Sequence, residues 1–181
     1  SAPRLLVRAI GAALEHSADV DDDDEARAAA TAGLLDGLGR LASRVLLDQH
    51  EDATTELLAA VPPCRLRCYC NDAASTVRQA AAALLERLAS HRQSRPVALA
   101  VLDDDDDEPT SWRTAEATLM ALDGIVSTAA ARALTSCCDD DDDDDAWLFR
   151  ATAAVRAHFG DAGRFEVARA ARQLAATVAV A

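Results

Sequence analysis

The chain has 181 residues, half of them apolar but only 3% aromatic, and a formal net charge of −13. That length suits one domain able to bury a real core, and no apolar run approaches the roughly 18 residues that a membrane span requires. Strand-favouring runs of Val, Ile, Thr and Tyr are missing, and no Asn-Gly or Asp-Gly turn separates alternating segments, so the expectation is all-α.

The charge is unevenly placed. Runs of four, five and seven aspartates at 21–24, 103–107 and 139–145 hold sixteen of the 31 acidic residues, and without them the formal charge would be +3. All 18 basic residues are arginine. Beside the abundant alanine this points to a GC-rich coding bias rather than to selection for bidentate recognition.

In chain order, residues 3–16 read as a helix with Pro3 in its first turn and Leu6, Ile10 and Leu14 at fourfold spacing. Residues 25–48 carry Leu34, Leu35, Leu38, Leu41, Val45 and Leu46 as a long apolar stripe. A shorter helix over 52–61 is ended by Pro62-Pro63. Residues 75–91 place Val77, Ala81, Leu84, Leu85 and Leu88 on one face, and a short segment over 95–102 leads to the second run. Trp112, Ala115, Leu119, Leu122 and Val126 form the next stripe, with helix resuming over 128–137. After the third run come helices over 146–159 and, past Gly160 and Gly163, over 164–179, with Val167, Ala171, Leu174 and Val178 facing one way.

Superimposing these helices exposes a repeat. Four segments, EARAAATAGLL (25–35), TVRQAAAALLERLA (76–89), SWRTAEATLMAL (111–122) and LFRATAAVRA (148–157), each place an apolar residue before an arginine: Ala26, Val77, Trp112 and Phe149 before Arg27, Arg78, Arg113 and Arg150. Small residues follow two positions on (Ala29, Ala80, Ala115, Thr152) and four positions on (Thr31, Ala82, Ala117, Ala154). The stretch NDAASTVRQAAAALLERLAS (71–90) resembles the second helix of a HEAT repeat, and WRTAEATLMALDGIV (112–126) is similar to helices of importin-β-type transport receptors. The resemblance implies an α-solenoid of about four HEAT-like antiparallel helix pairs in a right-handed superhelix, with 1–181 a single repeat domain cut from a longer array. It also implies a ladder between turn aspartates and repeat arginines, in which Asp72 and Arg78 take such positions and Arg113 the next rung. A bundle using the same stripes is the alternative.

The aspartate runs fall in the turns that precede the repeat arginines, giving acidic loops at 19–25, 103–108 and 139–145; Asn71-Asp72 occupies the same place before Arg78. Acid there suits a helix N-terminus, worth about 0.3–1 kcal/mol per well-placed carboxylate, but only within the first turn. Passive expansion of a tolerated loop is one reading. Attraction of a basic protein segment is the other, with Asp103, Asp104, Asp105, Asp141, Asp142 and Asp143 as contacts. Calcium is disfavoured, because the runs lack the alternating ligands, central glycine and terminal Glu of an EF-hand. Nucleic acid is disfavoured by the same negative field.

Cys64, Cys68 and Cys70, in PPCRLRCYC, are weak metal-ligand candidates, since zinc sites usually pair two close-spaced knuckles and the remaining cysteines here are the vicinal Cys137 and Cys138. Small, mostly buried apolar residues near repeat turns are the alternative reading. His16, His50, His91 and His158 fall near helix ends, with no Cys/His or Ser/His/Asp arrangement and no Gly-rich phosphate loop. The expectation is a non-enzymatic protein–protein scaffold or adaptor with no cofactor, no membrane and no small-molecule substrate. A fragment of an importin-β-like receptor for basic cargo, and a Cys-based zinc module, are the alternatives. Five cysteines without a secretory signal favour a cytoplasmic or nuclear setting; the Arg-bearing N-terminus faintly resembles a mitochondrial transit peptide, though an ordinary amphipathic helix is preferred.

Overall fold

The computed structural model describes residues 2–17, 24–47, 56–57, 59–91, 94–102, 111–135, 142–158 and 164–181. Among these residues there are eight helices and no strand: α1 (Ala2–Ser17), α2 (Asp24–Leu47), α3 (Pro63–Cys70), α4 (Ser75–Ala89), α5 (Arg95–Leu102), α6 (Trp112–Thr135), α7 (Asp142–His158) and α8 (Phe165–Val178). Residues 56–57 and 59–60 are helical as well. The protein is all-α. No helix among the described residues is long and apolar enough to cross a membrane.

Three boundaries differ from the sequence reading, each for a local reason. Pro62-Pro63 closes one helix and opens another: Pro62 is extended (φ −63°, ψ 150°) and Pro63 begins α3, where a missing N–H costs nothing and the fixed φ is already helical. Helix α6 runs unbroken from Trp112 to Thr135, through the point where a resumption at 128 was expected. Helix α7 starts at Asp142 rather than 146, so four aspartates of the third run form its first turn. Acidic residue types suit a helix N-terminus, where backbone N–H groups are unpaired and the helix dipole is positive. Asp24 likewise opens α2.

Each helix buries a stripe. In α4 the inward positions are Val77, Ala81, Leu84, Leu85 and Leu88, as periodicity predicts. In α6 they include Ala115, Leu119, Leu122 and Val126, with Trp112 half-buried. Val167, Ala171 and Leu174 of α8 are buried and Val178 is half-buried. Helix α1 departs from expectation: Val7, Gly11 and Leu14 face inward with Ile10 half-buried, whereas Leu6 is 52% exposed. A Cβ on Gly11 would stand 3.0 Å from Ala60 Cβ, so the absent side chain lets the 56–60 segment lie close against α1.

The helices pack in sequence order. Helices α2, α4, α6 and α8 form a row in which each contacts the next; α1 covers α2, α3 and α5 lie against α4, and α7 packs on both α6 and α8. Polar contacts fix the direction. Near the N-terminal ends, Arg27 of α2 approaches Asp72 before α4, Arg78 of α4 meets Glu116 of α6, and Arg169 of α8 lies 3.8 Å from Glu116. Further along, Arg87 of α4 is 3.8 Å from Asp36 of α2. The Thr128 hydroxyl of α6 donates to Glu86 of α4 (3.3 Å), and Thr177 of α8 donates to Asp123 of α6. The four helices of the row therefore run parallel and in register, pinned by two tiers of polar contacts.

Of the two small positions in the repeat, only the one four residues after the arginine is consistently close-packed. Thr31, Ala82 and Ala117 are buried there and Ala154 is half-buried, whereas Ala29 two residues after Arg27 is exposed. The apolar residue before the arginine is also uneven: Val77 is buried, Ala26 is exposed and Phe149 is 76% exposed. In α7 it is Trp147, two positions earlier, that enters the core.

Candidate functional site

Charged and aromatic side chains gather where the N-terminal turns of α4, α6 and α8 converge. The turn before α4 is built by Asp72, whose Oδ1 accepts the Ala74 N–H at 2.8 Å, a local bond that frees the chain to enter the helix. The Asp72 and Ala73 carbonyls then each accept Arg78 Nη1 at 2.9 Å. Arg78 turns its other edge to α6, where Nε and Nη2 donate to Glu116 Oε2 at 2.8 and 2.6 Å. Both side chains are only 3% exposed. A buried carboxylate and guanidinium at this distance compensate each other's desolvation, and the extra carbonyl bonds satisfy donors that would otherwise be orphaned.

Trp112, at the head of α6, collects three guanidinium groups around its ring. Arg78, Arg113 and Arg164 lie 5.1, 5.4 and 5.2 Å from its centroid. Cation–π attraction of about 0.5–2 kcal/mol per well-placed cation holds these positive charges together on a half-buried indole. Arg113 has a buried Nε with no hydrogen-bond partner, and its backbone N–H is held by Ser111 Oγ at 3.3 Å. The same motif recurs more loosely in α7, where Arg150 lies 6.0 Å from the Trp147 ring.

These contacts rearrange the expected ladder. Asp72 is partnered by Arg27 on its preceding side, at 3.8 Å, and not by Arg113. Arg78 bonds the backbone carbonyl of Asp72, and the carboxylate that pairs with it is that of Glu116. Glu116 received no role from the sequence, although it stands in WRTAEA between Ala115 and Ala117, both buried. A single carboxylate inside an apolar helical stripe was the available signal, since such a group must be paired or pushed neutral. Arg164 and Arg169 were missed because nothing in 164–179 alone reveals which helix lies beside it.

The remaining candidates are dispersed. Asp103, Asp104, Asp105 and Asp141 lie outside the described residues, while Asp142 and Asp143 belong to the first turn of α7. The three cysteines of α3 are split. Cys64 and Cys68 are exposed and Cys70 is buried, with burial pushing the Cys70 thiol up to about 12. No group of three or more His, Cys, Asp or Glu is gathered for a metal among the described residues. A cleft of about 140 Å³ between α5, α6 and α7 is lined by Val101, Leu102, Thr114, Thr118, Leu119 and His158 among others. Among the described residues it pairs hydroxyls with one imidazole and is lined by no carboxylate or thiol.

A separate charged contact anchors the first helix. Glu56 accepts Arg4 Nε at 2.9 Å and Arg8 Nε at 2.5 Å, with Arg8 Nη2 closing a bidentate pair. The Arg8 hydrogen bonds, against an opposing desolvation and with help from Arg4, hold the Glu56 carboxyl down at about 2. Arg65 of α3 reaches Glu15 of α1 at 3.1 Å, so α1 is tied to the following segments by exposed ion pairs.

Compared with protein-family models, with characterised proteins and with solved structures, the chain matches none. Its function has to be read from its own geometry.

Proposed function

We propose that this protein is a non-enzymatic interaction scaffold, a right-handed stack of HEAT-like helix pairs that presents an extended helical surface to partner proteins. The observation that supports this is the parallel row α2, α4, α6 and α8, pinned by polar contacts near its N-terminal ends and again further along. A helix row in which each member buries its stripe only against its neighbours grows in one dimension and leaves long faces for binding. The outer helices α1, α3, α5 and α7 flank the row.

The partner's chemistry follows from charge. The aspartate runs precede α2, α6 and α7, and the third continues into the first turn of α7. The first two runs precede the parallel row helices α2 and α6, and acid at those ends sums into a negative field along one edge; the third opens α7, which runs back from the end of α6 to the start of α8. Proteins carrying arginine- or lysine-rich segments are the partners that this field attracts.

The test uses the full chain and a variant with 21–24, 103–107 and 139–145 replaced by Gly/Ser. Binding of an arginine-rich peptide is measured by fluorescence anisotropy at low and high salt, with a glutamate-rich peptide as control. The scaffold reading expects binding by the parent that weakens with salt and falls tenfold or more in the variant. Equal binding by both proteins would remove the acidic edge as a docking element.

A further inference from the structure

Cys64 and Cys68 stand four residues apart on α3, and both are exposed, whereas Cys70 is buried in the core. Residues at i and i+4 share a helix face with Cβ atoms about 5–6 Å apart. From that separation two thiolates can converge on one ion. Direct closure into a disulfide needs Cβ atoms about 3.5–4.5 Å apart, which would require the helical turn to deform. The pair is therefore better suited to bridging than to oxidation.

The helix that carries it is held at both ends and along its inner face. The Pro62 carbonyl accepts the Arg65 and Leu66 N–H groups at 3.0 and 3.1 Å, and the Asn71 N–H closes the far end on the Arg67 and Cys68 carbonyls. Leu66 and Cys70 anchor its inner face in the core. Arg67 Nη2 donates to the Ala100 carbonyl of α5 at 2.9 Å, and Arg65 pairs with Glu15. The two thiols are thus held on a fixed element, and ligand geometry is set before anything binds.

The ligand class follows from the donor count. Zinc asks for four ligands, and the described residues gather no third donor here. Two sulfurs alone suit a soft cation, and thiolates select Cu(I). We propose that Cys64 and Cys68 form a two-thiolate site for one soft, two-coordinate cation of the Cu(I) type. Binding releases two protons to solvent, each thiolate gives one electron pair to the metal, and no electron is transferred. The resulting unit carries one negative charge, opposed by Arg65 and Arg67 of the same helix.

The test is made on the full chain with Cys137→Ser and Cys138→Ser, so that the other neighbouring cysteines do not contribute. Phenylarsine oxide reports the geometry, because its arsenic forms two S–As bonds with two thiols and releases one water. One equivalent should silence both exposed thiols toward a disulfide-exchange reagent. Cu(I), titrated against bicinchoninate, should be held at one ion per chain. Cys64→Ser or Cys68→Ser should weaken both ligands about a hundredfold, the loss expected when two linked donors become one. Both positions are exposed, so neither substitution disturbs the core, and circular dichroism verifies the fold. The proposal is overturned if one equivalent of arsenical leaves a thiol reactive. It is equally overturned if either single variant holds Cu(I) as tightly as its parent.

Discussion

Arg78 of α4 and Glu116 of α6 meet across the helix row as a buried ion pair, with both side chains 3% exposed and the closest N···O distance 2.6 Å. Removing one partner of such a pair leaves a desolvated charge, and the cost is about 3–5 kcal/mol. Glu116→Ala should therefore shift the urea midpoint sharply, and Arg78→Ala should do the same. Replacing both groups with apolar residues of similar volume, as in Arg78→Met with Glu116→Leu, should recover most of that loss. A Glu116→Ala variant that costs less than about 1 kcal/mol, the value of an exposed pair, would show that the contact is solvated.

Cys70 gives a second, chemical readout of the core. Its thiol is pushed from 9.0 up to about 12 by burial, partly opposed by Arg67. At mildly alkaline pH the thiolate fraction is then about a thousandfold lower than for an ordinary thiol, and the thiolate is the reactive form. Iodoacetamide should label Cys64 and Cys68 in the native protein while Cys70 stays unmodified until denaturant is added. Labelling of all three at similar rates, followed by peptide mass spectrometry, would contradict the placement of α3.

Glu56 predicts how α1 responds to acid. Its carboxyl titrates at about 2 in the fold, against 4.5 for the ordinary group. A folded-state value below the unfolded one contributes stability that is full above 4.5 and is lost as pH falls through about 2. The difference in urea midpoint between the parent and Glu56→Gln should thus be constant at neutral pH, narrow through that window and vanish at its lower end. A difference that persists at the lowest pH would mean that the Arg4 and Arg8 contacts do not depend on the carboxylate charge.

What the sequence revealed was the structure along each helix; what it concealed was the placement between helices. The α4 stripe was legible residue by residue because a 3.6-residue period fixes one face of an isolated helix. In α1 two apolar faces compete, Leu5 and Leu6 against Val7 and Leu14, and the close approach of Ala60 to Gly11 decides for the second. In α7 the same ambiguity sets Phe149 outward and Trp147 inward. The ion pair of Arg78 with Glu116 spans 38 positions and depends on the lateral register of α4 and α6. No periodicity within either helix encodes that register. Arg78 stood out in the sequence, but its partner Glu116 became visible only with the row assembled.

That register has one sensitive point, Gly124 in the middle of α6. A Cβ there would stand 2.6 Å from Glu86 Cδ and 2.9 Å from its Cγ, both on α4. Glycine inside a helix is ordinarily a weakness, and alanine should improve α6 by about 0.5–1 kcal/mol. Here the added methyl must displace Glu86, whose carboxylate accepts the Thr128 hydroxyl at 3.3 Å. Gly124→Ala alone should therefore be neutral or destabilising. In a Glu86→Ala background the obstruction is gone, and the same substitution should stabilise by about 0.5–1 kcal/mol. The double-mutant cycle measures the approach of α4 to α6, since residues in contact couple whereas distant, independent ones add within about 0.3–0.5 kcal/mol. Equal stabilisation in both backgrounds would show that the two helices do not approach as closely at Gly124 as the structure places them.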